Sequence, residues 1–272
     1  MSAVVALELR APVDGVVETD GVNPDRLAAL GEREIAALPA WAGTRQGALG
    51  DFFKVRGERS ARVAILGSVG KVNGLGAGMT GGELIIDGDA GDRVGAGMTG
   101  GLVDVRGNVQ HDAGAAMGGG VLRVSGNAGD RLGAATPGAS RGMSGGEIVV
   151  SGSAGSEAAA RTRRGLVVIV GDAGSFAARA MIAGTLVVFG RVGAQPVEGS
   201  KRGSLVALGA VDVPSTYIYA CTYEPGFIRL VLVHLSRRHG LAIPFGALDG
   251  SYRRYCGDAG GIGKGEILEL VR

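Results

Sequence analysis

From Val63 to Leu208 the chain repeats one short pattern of apolar and polar positions, and each apolar run ends on a glycine: Gly67, Gly88, Gly107, Gly126, Gly152, Gly171, Gly190 and Gly209. The fourth residue before each glycine is Val63, Leu84, Val103, Leu122, Ile148, Val167, Leu186 or Leu205, and the second is Ile65, Ile86, Val105, Val124, Val150, Ile169, Val188 or Ala207. The third and first positions are mixed and include Asp104, Arg106, Arg123 and Ser125. Alternation with a period of two predicts a strand in each run, with one face inward. The glycines follow one another at steps of 21, 19, 19, 26, 19, 19 and 19 residues. A fixed period near 20 residues, one small unit per repeat, predicts a solenoid.

Each glycine is followed by a polar turn residue (Ser68, Asp89, Asn108, Asn127, Ser153, Asp172) and then by a small apolar one (Val69, Ala90, Val109, Ala128, Ala154, Ala173). The turn residues are expected to bond their own backbone. Met79, Met98, Met117, Met143 and Met181 recur at one corner. Paired glycines such as Gly81-Gly82 and Gly100-Gly101 disfavour a helix there. Stacking equivalent strands buries the Leu/Ile/Val columns that one coil alone leaves exposed. The predicted fold is mainly β: a right-handed parallel β-helix of about 19 residues per coil, with a small N-terminal α/β cap and a C-terminal helix plus strand.

Three regions follow. Residues 1–56 form the cap, 57–213 the β-helix and 214–272 a helical extension. In the cap, Val4 to Leu9 is expected as a strand, Asn23-Pro24 as the start of a helix through Leu30, and Glu32 to Leu38 as a second helix stopped by Pro39. Trp41 is expected in a loop, and Phe53 to Gly57 as an irregular first coil with Phe53 and Val55 inward. The 26-residue step carries the insertion Thr136 to Gly142, expected to protrude at a corner. In the late coils the outward positions turn apolar: Val168, Val170, Val187, Phe189, Val206 and Leu208. Such a patch needs a cover. The stretch Glu224 to Gly240 reads as a covering helix, with Pro225 in the first turn and Gly240 at the end, although its β-branched content leaves a strand open and another subunit is the alternative cover; Ile267 to Val271 reads as a closing strand.

Composition narrows the function classes. A net charge of +2 argues against bulk nucleic-acid binding. No apolar run approaches the roughly 20 residues that span a membrane, and Met1 to Glu8 lacks the basic start and long apolar run of a signal peptide. Cys221 and Cys256 form no metal spacing and read as reduced thiols of a cytoplasmic protein. Gly76 to Gly81 and Gly95 to Gly100 match GxGxxG, but no helix follows, so a dinucleotide fold is rejected. Gly263-Lys264 lacks the first glycine and the Ser/Thr of a phosphate loop. His111, His234 and His239 are scattered and suggest neither a metal site nor a catalytic triad. No catalytic residue and no metal ligand is nominated. One charge pattern stands out. Arg163 and Lys201 share a coil position two turns apart, as do Arg164 and Arg202, with Arg161, Arg179 and Arg191 nearby in the repeat. This column is a candidate site for an anion or an acidic partner; a solvated face is the other reading.

The repeat Gly88-Asp-Ala-Gly-Asp-Arg-Val-Gly-Ala-Gly-Met-Thr-Gly-Gly101 resembles the GXGXG β-helix domain of glutamate synthase large subunits. Over nearly its whole length the chain is more similar to the C-type subunit of formylmethanofuran dehydrogenase. The supporting residues are Glu34 to Pro39 with Trp41, Gly50-Asp-Phe-Phe53, and the closing Gly257-Asp through Gly263-Lys-Gly-Glu266. That family has an archaeal branch that reduces CO2 with a molybdenum or tungsten subunit. Its other branch, in methylotrophic bacteria, is a formyltransferase/hydrolase that converts formyl-tetrahydromethanopterin to formate through a methanofuran-type carrier. The excess of Arg over Lys, 24 to 4, favours the bacterial branch. The resemblance implies a non-catalytic scaffold, with the metal and the chemistry on hydrolase, formyltransferase and dehydrogenase-like partner subunits. It also implies that the anion at the basic column is the carrier's glutamate-rich tail or an acidic patch of a partner. Membership of a CO2-reducing complex, or of a glutamate synthase, is the alternative.

Overall fold

The computed structural model describes residues 4–19 and 22–271, so Met1 to Ala3, Asp20 and Gly21 of the expected cap and Arg272 of the expected extension lie outside the described residues. The chain is mainly β. Its elements begin with β1 (Val5–Leu9), β2 (Val17–Glu18), α1 (Pro24–Leu27), α2 (Glu32–Ala36), β3 (Pro39–Ala42), β4 (Arg45–Ala48), α3 (Leu49–Phe52) and β5 (Phe53–Arg56). The repeats supply β6 (Arg62–Leu66), β7 (Val72–Asn73), β8 (Glu83–Asp87), β9 (Thr99–Val105), β10 (Gly119–Val124), β11 (Ser144–Val150), β12 (Arg164–Ile169), β13 (Thr185–Val188) and β14 (Arg202–Ala207). The chain closes with β15 (Ile218–Tyr223), α4 (Gly226–His239), β16 (Tyr252–Gly257) and β17 (Lys264–Leu270).

Among the described residues, thirteen strands make one sheet in the order β15-β16-β17-β14-β13-β12-β11-β10-β9-β8-β6-β1-β5. Neighbours from β1 through β14 to β17 are parallel. The predicted inward column stacks in register, Val63 on Leu84, Leu84 on Val103, Val103 on Leu122 and onward to Leu205. All of these side chains lie in one buried core. A second ladder of single parallel bridges runs Val69, Ala90, Val109, Ala128, Ala154, Ala173, Val192, Val211, through the small residues foreseen there. The methionine column is buried as well. Thr162 is also fully buried, and its hydroxyl has no hydrogen-bond partner among the described residues. The arrangement is β-helix-like: a large parallel sheet, a second ladder and a core between them.

The turn residues from Asp89 to Asp172 do not bond their own backbone as expected; each accepts a hydrogen bond from the next rung. Asp89 Oδ1 accepts from the Asn108 N–H at 2.7 Å, Asn108 Oδ1 from Asn127 at 2.8 Å, Asn127 Oδ1 from Ser153 at 2.8 Å, and Asp172 Oδ1 from Arg191 at 2.6 Å. Parallel stacking brings each side-chain oxygen over the following amide, so the ladder satisfies corner N–H groups that the sheet does not reach.

Several expectations about the flanks are corrected. The first rung is β1, stacked parallel on β6; β5 lies outside it, antiparallel, with Phe53 and Val55 inward as expected. The helix starting at Asn23 ends at Leu27, although Asn23 Oδ1 does cap it, accepting from the Arg26 N–H at 2.9 Å. Asp25 is drawn instead to the Thr80 N–H at 2.5 Å, which ties this segment to the repeats. Trp41 lies in a strand, not a loop: β3 pairs with both β2 and β4. Pro39 opens that strand, at its exposed start where a missing N–H costs no ladder bond. The closing strand is longer than foreseen, and two further strands, β15 and β16, were not foreseen.

The outward apolar face is covered by α4. Val149, Val168, Val187, Val206 and Leu268 stand in one row. They pack with Ile228, Leu232 and Leu235 from the helix, and with Tyr252. The helical spacing i, i+4, i+7 puts those three side chains on one stripe. Gly240 ends the helix in the left-handed region, φ 68°. No helix among the described residues is long and apolar enough to cross a membrane.

Candidate functional site

Two polar constellations stand out. The first lies where the covering helix ends. Glu147 occupies an outward position of β11, between Val121 and Leu166 on the neighbouring strands. His234 and His239 reach it from α4. His234 Nε2 is 2.9 Å from Oε1, His239 Nε2 is 2.9 Å from Oε2, and Arg238 Nε is 3.4 Å from Oε2. From β10, Arg123 Nε donates to His239 Nδ1 at 3.3 Å, and Arg123 Nη2 donates to the Arg238 carbonyl at 3.3 Å. In sequence the two histidines read as scattered, and the structure brings them together. The signal that marks them is Glu147 itself, a carboxylate at an outward position whose neighbours are apolar. A second signal is two histidines inside one amphipathic helix.

Glutamate and two histidines within 4.8 Å of one another are a donor set for a metal ion. The surroundings argue otherwise. His239 accepts at Nδ1, so its proton sits on Nε2 and points at Glu147. One guanidinium, that of Arg238, already pairs with the carboxylate, and Arg123 is spent on His239 and the Arg238 carbonyl. The cluster therefore works as a clamp that fastens α4 to the sheet. Burial alone would raise the Glu147 carboxyl. The hydrogen bonds from both histidines and the charges of His234 and Arg238 outweigh it and hold the group below its ordinary range. Burial pushes the His239 imidazole below its ordinary value, against the opposing pull of Glu147.

A pH dependence follows from those directions. A folded-state histidine with a depressed pKa binds protons less readily than the unfolded chain does. Stability is then lost as the pH falls through the ordinary histidine value of 6.5. The lowered carboxyl of Glu147 adds its own loss at still lower pH, below its ordinary 4.5. Tm should decline between about pH 7.5 and pH 5.5, and His239→Gln should flatten that decline. An unchanged slope in His239→Gln would assign the acid sensitivity to other groups.

The second constellation is the predicted basic column. Arg163, Arg164, Lys201 and Arg202 line one surface cleft of about 410 Å3 together with Ile182, Ala183 and Ile262. Arg202 pairs across the sheet with Lys264, a cation that the column as read from sequence did not include. Arg179 and Arg191, expected nearby, are engaged elsewhere: Arg179 with Glu157 and Glu198, Arg191 with Asp212. Arg161 lines a different cleft, of about 340 Å3, beside Thr136 to Ala139 of the insertion.

Comparison with known proteins gives the chain its family. No family model matches it. It is 31% identical over 99 residues to the C-type subunit of a molybdenum-containing formylmethanofuran dehydrogenase from Methanosarcina barkeri, covering 35% of this chain and 33% of that one. It is 37% identical over 77 residues to the corresponding subunit from Methanothermobacter marburgensis, covering 28% and 19%. The chain thus spans a third or less of the length of these curated relatives. A solved structure matches end to end. A chain of the formyltransferase/hydrolase complex from Methylorubrum extorquens, determined in complex with methylofuran, superposes with a TM-score of 0.90 at 35% identity, covering 98% of this chain and 100% of that one. The stacked rungs, the covering helix and the antiparallel strands beyond the last rung are all included in that superposition, and the chain belongs to the family of C-type subunits of formylmethanofuran dehydrogenases.

Proposed function

We propose that this chain is a scaffold subunit of a cytoplasmic formyltransferase/hydrolase complex. In that reading the complex converts formyl-tetrahydromethanopterin to formate through a methanofuran-type carrier. Metal-dependent hydrolysis and formyl transfer belong to the partner subunits, and this chain contributes a rigid surface that spaces them. The observation that carries the proposal is the end-to-end match to a chain of the Methylorubrum extorquens complex. The archaeal CO2-reducing complexes are the second reading, favoured by the curated relatives, but those cover only a fraction of either chain.

We further infer a right-handed coil of about 19 residues per turn, because the repeat period matches the spacing of stacked strands. Residues 57–213 are the body of the stack, and the regions 1–56 and 214–272 finish it, each adding one rung, β1 and β17. The surface also supports a scaffold. All six residues of β15 are exposed, including Ile218 and Tyr219, and Leu230 and Phe245 project apolar side chains outward. Exposed apolar groups and an unpaired edge strand are features that partner subunits cover.

Native purification of a tagged chain, followed by mass spectrometry, tests the assignment. Hydrolase and formyltransferase subunits should co-purify, and the complex should release formate from formyl-tetrahydromethanopterin. A co-purifying molybdenum or tungsten subunit would favour the second reading. The isolated chain should show no turnover; formate release by this chain alone would overturn the scaffold role.

A further inference from the structure

We propose that the cleft between the late rungs binds an extended acidic peptide segment of a partner subunit. Its cations stand in register. Arg164 aligns with Ser144 on one side, and along the same row Arg202 lies directly beside Lys264. Arg163 and Lys201 line the same cleft one position away. Adjacent strands lie about 4.8 Å apart, so Arg202 and Lys264 hold like charges side by side, an arrangement that is destabilising unless something anionic sits over it.

Among the described residues no carboxylate pairs with Arg163, Arg164, Lys201, Arg202 or Lys264, whereas arginines elsewhere on the stack are matched, as in Arg62–Glu83, Arg106–Asp87 and Arg131–Asp112. The acidic groups closest along the chain are committed, Glu198 to Arg179 at 3.1 Å. Glu266 holds Arg254 at 2.8 Å and Ser204 at 2.5 Å. Asp258 accepts from the amides of Gly199 at 2.9 Å and Gly260 at 3.0 Å.

The shape selects the kind of anion. From the Arg164 rung to the Lys264 rung is three strand spacings, about 14 Å. An extended peptide places same-side residues about 6.6–7 Å apart, so the row accommodates about three carboxylates. Ile182, Ala183 and Ile262 give the cleft apolar wall between the charges. That wall suits the methylenes of acidic side chains and offers nothing to a bare phosphate chain.

The proposal rests on the scaffold reading only for which protein supplies the segment, so its test uses the purified full-length chain alone. A short labelled peptide of alternating aspartate and glutamate is titrated by fluorescence anisotropy at low and high salt. Binding should weaken with salt, and Arg163→Ala/Arg202→Ala/Lys264→Ala should weaken it by about tenfold or more. The exposed pair Arg33→Ala/Lys54→Ala, on the N-terminal region, should leave it unchanged. Circular dichroism of the triple variant should match the parent, since the replaced side chains are solvent-facing, and its Tm in the absence of peptide should equal or slightly exceed the parent's, since the Arg202–Lys264 repulsion is removed. Equal loss in both variants, or no loss in the triple variant, would make the column a solvated face. Tighter binding of inorganic polyphosphate than of the acidic peptide would overturn the choice of partner.

Discussion

Val187→Asp should destabilise the protein by about 3–5 kcal/mol, the range for an uncompensated buried charge. Val187 is 1% exposed, flanked in register by Val168 and Val206. Ile228, Leu232 and Leu235 of α4 belong to the same buried cluster. A carboxylate there has no cation within the cluster, and protonating it instead still leaves a polar group without a partner. Val187→Ala separates the charge from the cavity, and should cost only about 2 kcal/mol from lost methyl burial. Urea midpoints of the two variants, compared with the parent, make the measurement. If Val187→Asp unfolds at the parental midpoint, the helix does not cover this face in solution.

Gly100→Ala should cost about 3 kcal/mol, the upper end for overpacking, because backbone stands on both sides of the clash. A Cβ at Gly100 would be driven into the Thr80 carbonyl oxygen of the preceding rung. The same close approach recurs one rung on, where Gly119 meets the Thr99 carbonyl, and again where Gly145 meets Gly118. Glycine is required at this corner because one backbone lies directly over the next, and no flexible side chain can move aside. Gly15→Ala, with nothing within 4 Å of the added carbon, should stay within about 0.5 kcal/mol of the parent. Thermal or urea unfolding of the pair decides it; parental stability in Gly100→Ala would mean that the rungs sit farther apart than described.

Much of this molecule was legible because its repeat is strict. A period-two strand repeated at a fixed interval leaves one way to bury Val63, Leu84, Val103 and Leu122 together, and they stack as read. The need for a cover was legible for a related reason, since outward Val168, Val187 and Val206 form an apolar row; that the cover is a helix of this same chain, and not a strand or another subunit, is set by its docking. The flanks were less legible because tertiary pairing set their conformation. Trp41 becomes part of a strand through its partners Glu18 and Gln46, which no local propensity encodes. The turn ladder was misassigned because Asp89 bonds a residue in the next rung, and only stacking creates that neighbour. The basic residues Arg163, Arg164, Lys201 and Arg202 were legible as a group from repeat phase. Lys264 was not, because it enters from outside the repeat. The Glu147 clamp joins residues nearly a hundred positions apart, with His239 on a helix whose docking register the sequence does not state.

The rung beside β14 is β17, although the chain first leaves the stack to build β15, α4 and β16. During translation, the rungs from β6 to β14 can add one by one as they emerge from the ribosome, each on a neighbour already in place. The final addition cannot follow that schedule. A nascent chain halted before Lys264 presents the N–H and C=O row of β14 to whatever strand it meets, including the same strand of another polysome-bound copy. The interval between synthesis of Ala207 and synthesis of Leu270 is thus the period in which this protein is most open to misassembly. It is also when a chaperone or an early-arriving partner would act to greatest effect.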